Sequence, residues 1–180
     1  MAFYTGNGDS GKTNTLGKSG IDKYDELFEA EGDLDELNCQ IGLAAYYVSN
    51  EKVHSMLKSI QNELFIIGAK LASLGASNVA QDLKFGDENT KRLEREIDEL
   101  SAVLPQYKKF IIPGGCEGAV HLQLARAVAR RAERTILKLN SKYTIDQSIK
   151  SYMNRLSSYL FVAALYINHL EGIDEEHPVY

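Results

Sequence analysis

Cysteine is scarce in this chain. Cys39 and Cys116 are the only two in 180 residues, too few for a disulfide framework or a zinc site of their own, and a reducing compartment suits them. Both read as small packing residues, because free cysteine is usually buried. Proline is also rare, at 3 residues beside 14 glycines, and with 44% apolar and 25% charged residues the composition excludes a collagen-like or generally disordered chain. No run approaches the ~18 apolar residues of a membrane span, and the opening residues lack the apolar stretch of a signal peptide, so the expected location is cytoplasmic, away from membranes. A basic excess is missing too. Lys plus Arg number 20 against 25 Asp plus Glu, a net charge of −5, which argues against a nucleic-acid binder and confines any basic site to a local patch. The length suits one domain with a core of its own.

What the chain does have is helical periodicity, with no stretch of sheet-like alternation, so the expected fold is all-α. Asp33 with Glu36 three residues later forms a capping-box pattern and predicts a first helix from Asp33 to about Asn50, with Leu34, Leu37, Ile41 and Val48 on one side. A second segment, about 51–74, steps through Val53, Leu57, Ile60, Leu64, Ile67 and Leu71, with Gly75 as its stop. The third runs over about 88–103 and is ended by Pro105, the fourth over 117–139, and the fifth over about 145–170. Helices of this length, packed side by side, make an elongated bundle. Residues 1–30 hold many glycines and no helical period, and read as a loop that folds over something or as a disordered arm. The expected organisation is therefore a 1–30 loop, a 31–172 bundle and a 173–180 tail within one domain.

Residues 6–13 read Gly-Asn-Gly-Asp-Ser-Gly-Lys-Thr, a literal match to the phosphate-loop pattern Gly-x-x-x-x-Gly-Lys-Ser/Thr. That loop needs a buried strand before it and a helix start after it, and neither is indicated here. A glycine-rich loop can still wrap phosphates through its N–H groups, with Thr5, Thr13 and Asn14 as side-chain donors; a merely flexible terminus is the alternative.

The second signal is an arginine stripe. Residues 117–142 carry six basic against two acidic residues, a local charge of +4 that leaves −9 for the rest. Arg126, Arg130 and Arg134 lie four apart, on one helical face, where like charges repel unless an anion compensates. Arginine's planar fork suits bidentate capture of phosphate or carboxylate, whereas a solvated face is the ordinary alternative. Asn154, between Met153 and Leu156 in the last helix, reads as a buried amide whose partners are either helix carbonyls or a ligand. A di-iron centre is excluded because only Glu51 and His54 have the Glu-x-x-His spacing, and the four histidines show no zinc-ligand spacing; His121 reads as a surface or capping residue.

Several separated segments, in order, resemble the PduO-type ATP:cob(I)alamin adenosyltransferases. They are Tyr4-Thr5 with Gly8-Asp9 and Gly11; Gly32 with Asp35-Glu36-Leu37-Asn38; Phe110 with Pro113-Gly114-Gly115; Ala125-Arg126-Ala127-Val128 with Arg130-Arg131-Ala132-Glu133-Arg134; and Asn154-Arg155-Leu156-Ser157. The resemblance implies a homotrimer of five-helix, ferritin-like up-down bundles with active sites between subunits. It implies transfer of the 5′-deoxyadenosyl group of ATP to cobalamin, with Mg²⁺ held mainly by ATP. It also implies a reductase and an adenosylcobalamin-dependent enzyme as partners. By position, it assigns ATP contacts to Thr5, Gly6, Asn7, Gly8, Thr13, Asn14, Lys23, Arg130, Arg131, Glu133, Arg134 and Asn154. Arg130, Asn154 and Phe110 are implied in catalysis, Asp35 and Arg126 in an inter-subunit salt bridge, and Phe110 in the wall beneath the corrin ring; from the residues alone, Phe110 reads as a core plug beside Ile111 and Ile112. Three positions depart from the family's pattern: Gly6 stands where a Lys is usual, Ser158 where an Asp is common and Leu165 where an Arg is frequent. Lys12 is a candidate replacement for the first.

Overall fold

The computed structural model describes residues 3–74, 80 and 82–180. Five helices dominate: α1 (Glu26–Tyr47), α2 (Glu51–Ala72), α3 (Asp87–Ser101), α4 (Glu117–Leu139) and α5 (Gln147–Leu170). The expected stop at Gly75 lies outside the described residues. The longest helices, of 22 to 24 residues, each extend about 33–36 Å. The all-α bundle expected from periodicity is what forms.

Cross-helix side-chain pairs fix the directions. Glu26 at the start of α1 meets Lys138 near the end of α4, and Asn154 on α5 meets Glu133 on α4. Lys52 and Glu63 on α2 meet Glu96 and Arg92 on α3. Each of these pairs runs antiparallel, and one apolar core draws on all five helices, from Leu27 and Leu57 through Leu93, Leu122 and Leu160. Burying each such side chain contributes about 1.5–3 kcal/mol.

The first helix starts seven residues earlier than the capping-box pattern suggests. Asp25, not Asp33, caps it, accepting a 2.9 Å bond from the Leu27 amide. The apolar step continues back through Leu27 and Ala30, both buried, so burial extends the helix through Gly32 despite that residue's low propensity. Asp33 is instead a buried mid-helix carboxylate, bonded to Arg131 and Thr135 on α4.

Residues 3–25 form an irregular arm with a short antiparallel pairing, β1 (Lys12–Thr13) with β2 (Ile21–Asp22). Neither strand is part of a parallel sheet, and no helix follows Lys12-Thr13 directly, so the phosphate-loop match has none of that fold's context. Two further expectations change, while Cys116, half-buried at the α4 N-cap, does pack against the core. Cys39 is exposed rather than packed. His121 is half-buried and stacks on Tyr47, with ring centroids 4.7 Å apart. No helix among the described residues is long and apolar enough to cross a membrane.

Candidate active site

α4 presents its arginines in three different states. Arg126 is half-buried, donates Nε to Gln123 Oε1 at 2.7 Å and lies 5.9 Å from the Phe161 ring centroid. Burial, and secondarily Arg130, pull its pKa below the ordinary arginine value. Arg131 turns toward α1, with Nε 2.8 Å from Asp33 Oδ1 and Nη2 on Glu36. Its bond to Asp33 leads the causes that raise its pKa. Arg130 and Arg134 are exposed. Among the described residues, arginine–carboxylate pairs involve Arg92, Arg131 and Arg155, and neither Arg130 nor Arg134 joins one. Arg134 donates to the Arg130 carbonyl at 2.9 Å. Of the arginines grouped as ATP contacts, Arg131 is the one whose fork is already committed to carboxylates.

Asn154 is exposed rather than buried, a correction to the reading from its apolar neighbours. The 100° step per residue turns Met153, Leu156 and Ser157 inward while Asn154 faces out. Its Nδ2 donates to Glu133 Oε1 at 2.8 Å. Glu133 is itself one helical turn from Arg130 and adjacent to Arg134, so two unpaired cations and an amide–carboxylate pair share one outward patch of α4 and α5. Among the described residues no group of three His, Cys, Asp or Glu converges to hold a metal unaided; the patch fits a cation carried in on an anionic ligand, with Glu133 supplying one carboxylate.

The N-terminal arm forms a separate pocket of about 420 Å³, lined by Thr5, Asn7, Gly8, Lys12, Thr13, Asn14 and Gly20. Lys23 folds across Gly8, where an added Cβ would sit 2.7 Å from Nζ, so the ammonium group lies against the glycine backbone. Gly6 has φ +72° and does not line this pocket. Lys12 pairs with Asp22 at 3.1 Å and reaches the Gly20 carbonyl at 3.4 Å, an exposed pair that a stronger anion can displace. Lys18 fastens the arm to Tyr143, beyond the end of α4, at 3.0 Å.

Phe110 lies at the opposite pole. It is 79% exposed, which excludes the core-plug reading, and with Tyr107, Lys108, Lys109, Pro178 and Tyr180 it lines a cavity of about 530 Å³. Its backbone is strapped by the tail, as the Ile112 amide donates to the Glu176 carbonyl and His177 Nδ1 lies 2.8 Å from the Phe110 carbonyl. Burial, with Glu175 and Asp174 nearby, raises the Tyr107 pKa. The 23 residues of α4, about 34 Å, separate this pole from the arm's anchor at Tyr143. Nor do Asp35 and Arg126 meet within the chain: Asp35 is exposed in an α1–α2 groove with Glu31, Leu34 and Phe65, whereas Arg126 faces α5. Of the departing positions, Leu165 is buried and Ser158 half-buried.

The sequence reading missed Asp33, Glu36 and Asn168. The first two are visible as acids, but their three-residue spacing reads as a cap. Asn168 carried a weak signal, a lone amide in the apolar end of the last helix.

Residues 3–167 match the family model for cobalamin adenosyltransferase. The chain is 39% identical to a corrinoid adenosyltransferase of Bacillus subtilis, covering 97% of this chain and 91% of that protein. It is 38% identical to the corrinoid adenosyltransferase MMAB of Mus musculus, covering 97% and 76%. A solved variant of a PduO-type ATP:corrinoid adenosyltransferase from Lactobacillus reuteri, complexed with cobalamin and ATP, superposes with a TM-score of 0.93 at 36% identity over 99% of this chain and 100% of that one. With a helical bundle that superposes end to end and a family match across nearly its whole length, the chain belongs to the cobalamin adenosyltransferase family.

Proposed function

We propose that the protein transfers the 5′-deoxyadenosyl group of ATP to cob(I)alamin, forming adenosylcobalamin and releasing tripolyphosphate. The observation that carries this reading is the pair of carboxylate-free guanidinium groups, Arg130 and Arg134, beside the Glu133–Asn154 pair on the outward face of α4 and α5. Relatives that carry the same fold are corrinoid adenosyltransferases, one of them solved with both substrates.

The chemistry asks little of side-chain acids and bases. The cobalt lone pair forms the Co–C5′ bond, the C5′–O bond breaks, and its electrons leave on tripolyphosphate; no proton moves. The protein must align the reactants and neutralise a departing polyanion. Arg130, Arg134 and Lys23 supply positive charge to the phosphates, and arm amides with Thr5, Thr13 and Asn14 supply donors. Asn154 and Glu133 fix the nucleoside or the water of a phosphate-bound Mg²⁺, whose contribution when bound is further charge neutralisation. Phe110 offers an apolar wall beneath the corrin, where it excludes a lower ligand from cobalt.

The site lies between subunits of a homotrimer. An arm anchored at one pole cannot carry an ATP bound to it to a Phe110 some 34 Å away along the same α4, while a neighbour's arm can. The same geometry leaves Asp35 and Arg126 free to pair across that boundary. A reductase supplying cob(I)alamin and an enzyme receiving adenosylcobalamin complete the proposed partnership. Anaerobic incubation with ATP and cob(I)alamin should yield a light-sensitive alkylcobalamin and tripolyphosphate in equal amounts. ADP and phosphate as products, without an alkylcobalamin, would overturn the reading.

A further inference from the structure

Asn168 is 2% exposed, in the last turn of α5 among apolar residues, and every polar atom of its amide is used. Oδ1 accepts from the Cys116 amide at 3.1 Å, at the entrance of α4. Nδ2 donates to the Gly114 carbonyl at 3.1 Å and to Glu175 Oε1 at 3.0 Å. The backbone is shaped around this side chain: Gly115 has φ +108°, and a Cβ there would lie 2.0 Å from Asn168 Oδ1. An L side chain at 115 is excluded twice, by conformation and by collision. Two stretches of chain therefore converge on one buried amide: the turn that follows Phe110 up to the α4 N-cap, Gly114 to Cys116, and the acidic tail at Glu175. The tail in turn grips the Phe110 stretch through the Glu176 and His177 contacts.

We propose that Asn168 is a positioning residue for the corrinoid half of the reaction, a clasp that holds the exposed Phe110 ring at a fixed place by tying Gly114, Cys116 and Glu175 together. The inference rests on the adenosyl-transfer reading above and goes beyond it. It gives the 173–180 tail a role, as the outer half of a strap whose inner half is Asn168, and it makes corrinoid handling separable from nucleotide handling. The arginine patch and the arm pocket make no contact with the clasp, so its loss should reach one substrate and spare the other. Unpaired, a buried amide is costly, and its fully satisfied state specifies one loop position.

The test uses the full-length protein with Asn168→Ala, and with Glu175→Ala as a milder cut at the half-exposed end of the clasp, where the bundle core is not touched. In ligand-free protein, hydrogen exchange at residues 110–116 and in the tail should accelerate in both variants while residues 126–134 keep their wild-type protection. In turnover, displacement of the Phe110 loop by even ~1 Å should lower kcat/KM for cob(I)alamin about 10- to 100-fold in Asn168→Ala, less in Glu175→Ala, with KM for ATP unmoved. Wild-type exchange in both variants, or equal losses for both substrates, would overturn the clasp. Absence of turnover in the wild-type protein would instead overturn the functional reading, and the exchange measurement would then decide the clasp alone.

Discussion

Arg130 and Arg131 are separated by a 100° turn about α4, and that rotation divides a guanidinium open to ligand from one tied to Asp33 and Glu36. Their substitutions should therefore fail in different assays. Arg130→Ala or Arg134→Ala should lower turnover about 10²- to 10³-fold, the usual loss when one donor to developing negative charge is removed, while chemical denaturation stays near wild type. Arg131→Ala strips the charged partner from Asp33, which is largely buried, and should cost about 1–3 kcal/mol of unfolding free energy. A denaturant titration beside a steady-state assay separates the two; a catalytic loss without a stability loss in Arg131→Ala would place that side chain on the nucleotide instead. Lysine at 130 keeps the charge but loses the fork, so intermediate activity is expected.

At the scale of the helices, α5 carries two buried tyrosines whose hydroxyls fare differently. Tyr152 donates to Glu63 Oε2 at 2.6 Å, within a buried group that joins α2, α3 and α5 through Arg92 and Asn89. The Tyr159 hydroxyl is buried with no hydrogen-bond partner. Burial, first, and nearby carboxylates, second, raise the pKa of both. An acid whose folded pKa lies above its unfolded value holds its proton in the fold while the unfolded chain releases it, so stability falls as pH rises past the unfolded value of about 10. Thermal melting temperature should drop steeply above that pH. Tyr159→Phe should flatten the drop and be neutral or stabilising at pH 7, whereas Tyr152→Phe should destabilise by about 1–3 kcal/mol, because the Glu63 carboxylate loses one of its donors and keeps Arg92 and Asn89. Equal behaviour of the two variants would contradict this assignment. The same helices show what the sequence made legible. α4 is marked by Gly115 before it and an uninterrupted apolar period, and its bounds match the sequence reading at both ends. α1 was cut short because Asp33 and Glu36 imitate a cap, and nothing local tells a capping acid from one that waits for an arginine 98 residues away. Asn154 was misplaced because apolar neighbours one and two positions away occupy other faces of a helix. Asn168 depended on a loop and a tail whose meeting is purely tertiary.

On the scale of the whole molecule, the two halves of the proposed site stand at different places on the bundle, the arm fastened near Tyr143 and the exposed Phe110 beyond the other end of α4. The central claim is that an arm from one subunit and the α4 arginines of another close on the same triphosphate. Mixed oligomers test it most directly. A Thr13→Ala/Lys23→Ala protein lacks a working arm and an Arg130→Ala protein lacks a working helix face, so each alone should be nearly inactive. Unfolded together and refolded as an equal mixture, they should recover roughly a quarter of wild-type adenosylcobalamin formation, since in a closed ring one interface in four unites an intact arm with an intact arginine. Activity no greater than the average of the two separate variants would contradict the account, because it would place arm and arginines in the same subunit's site.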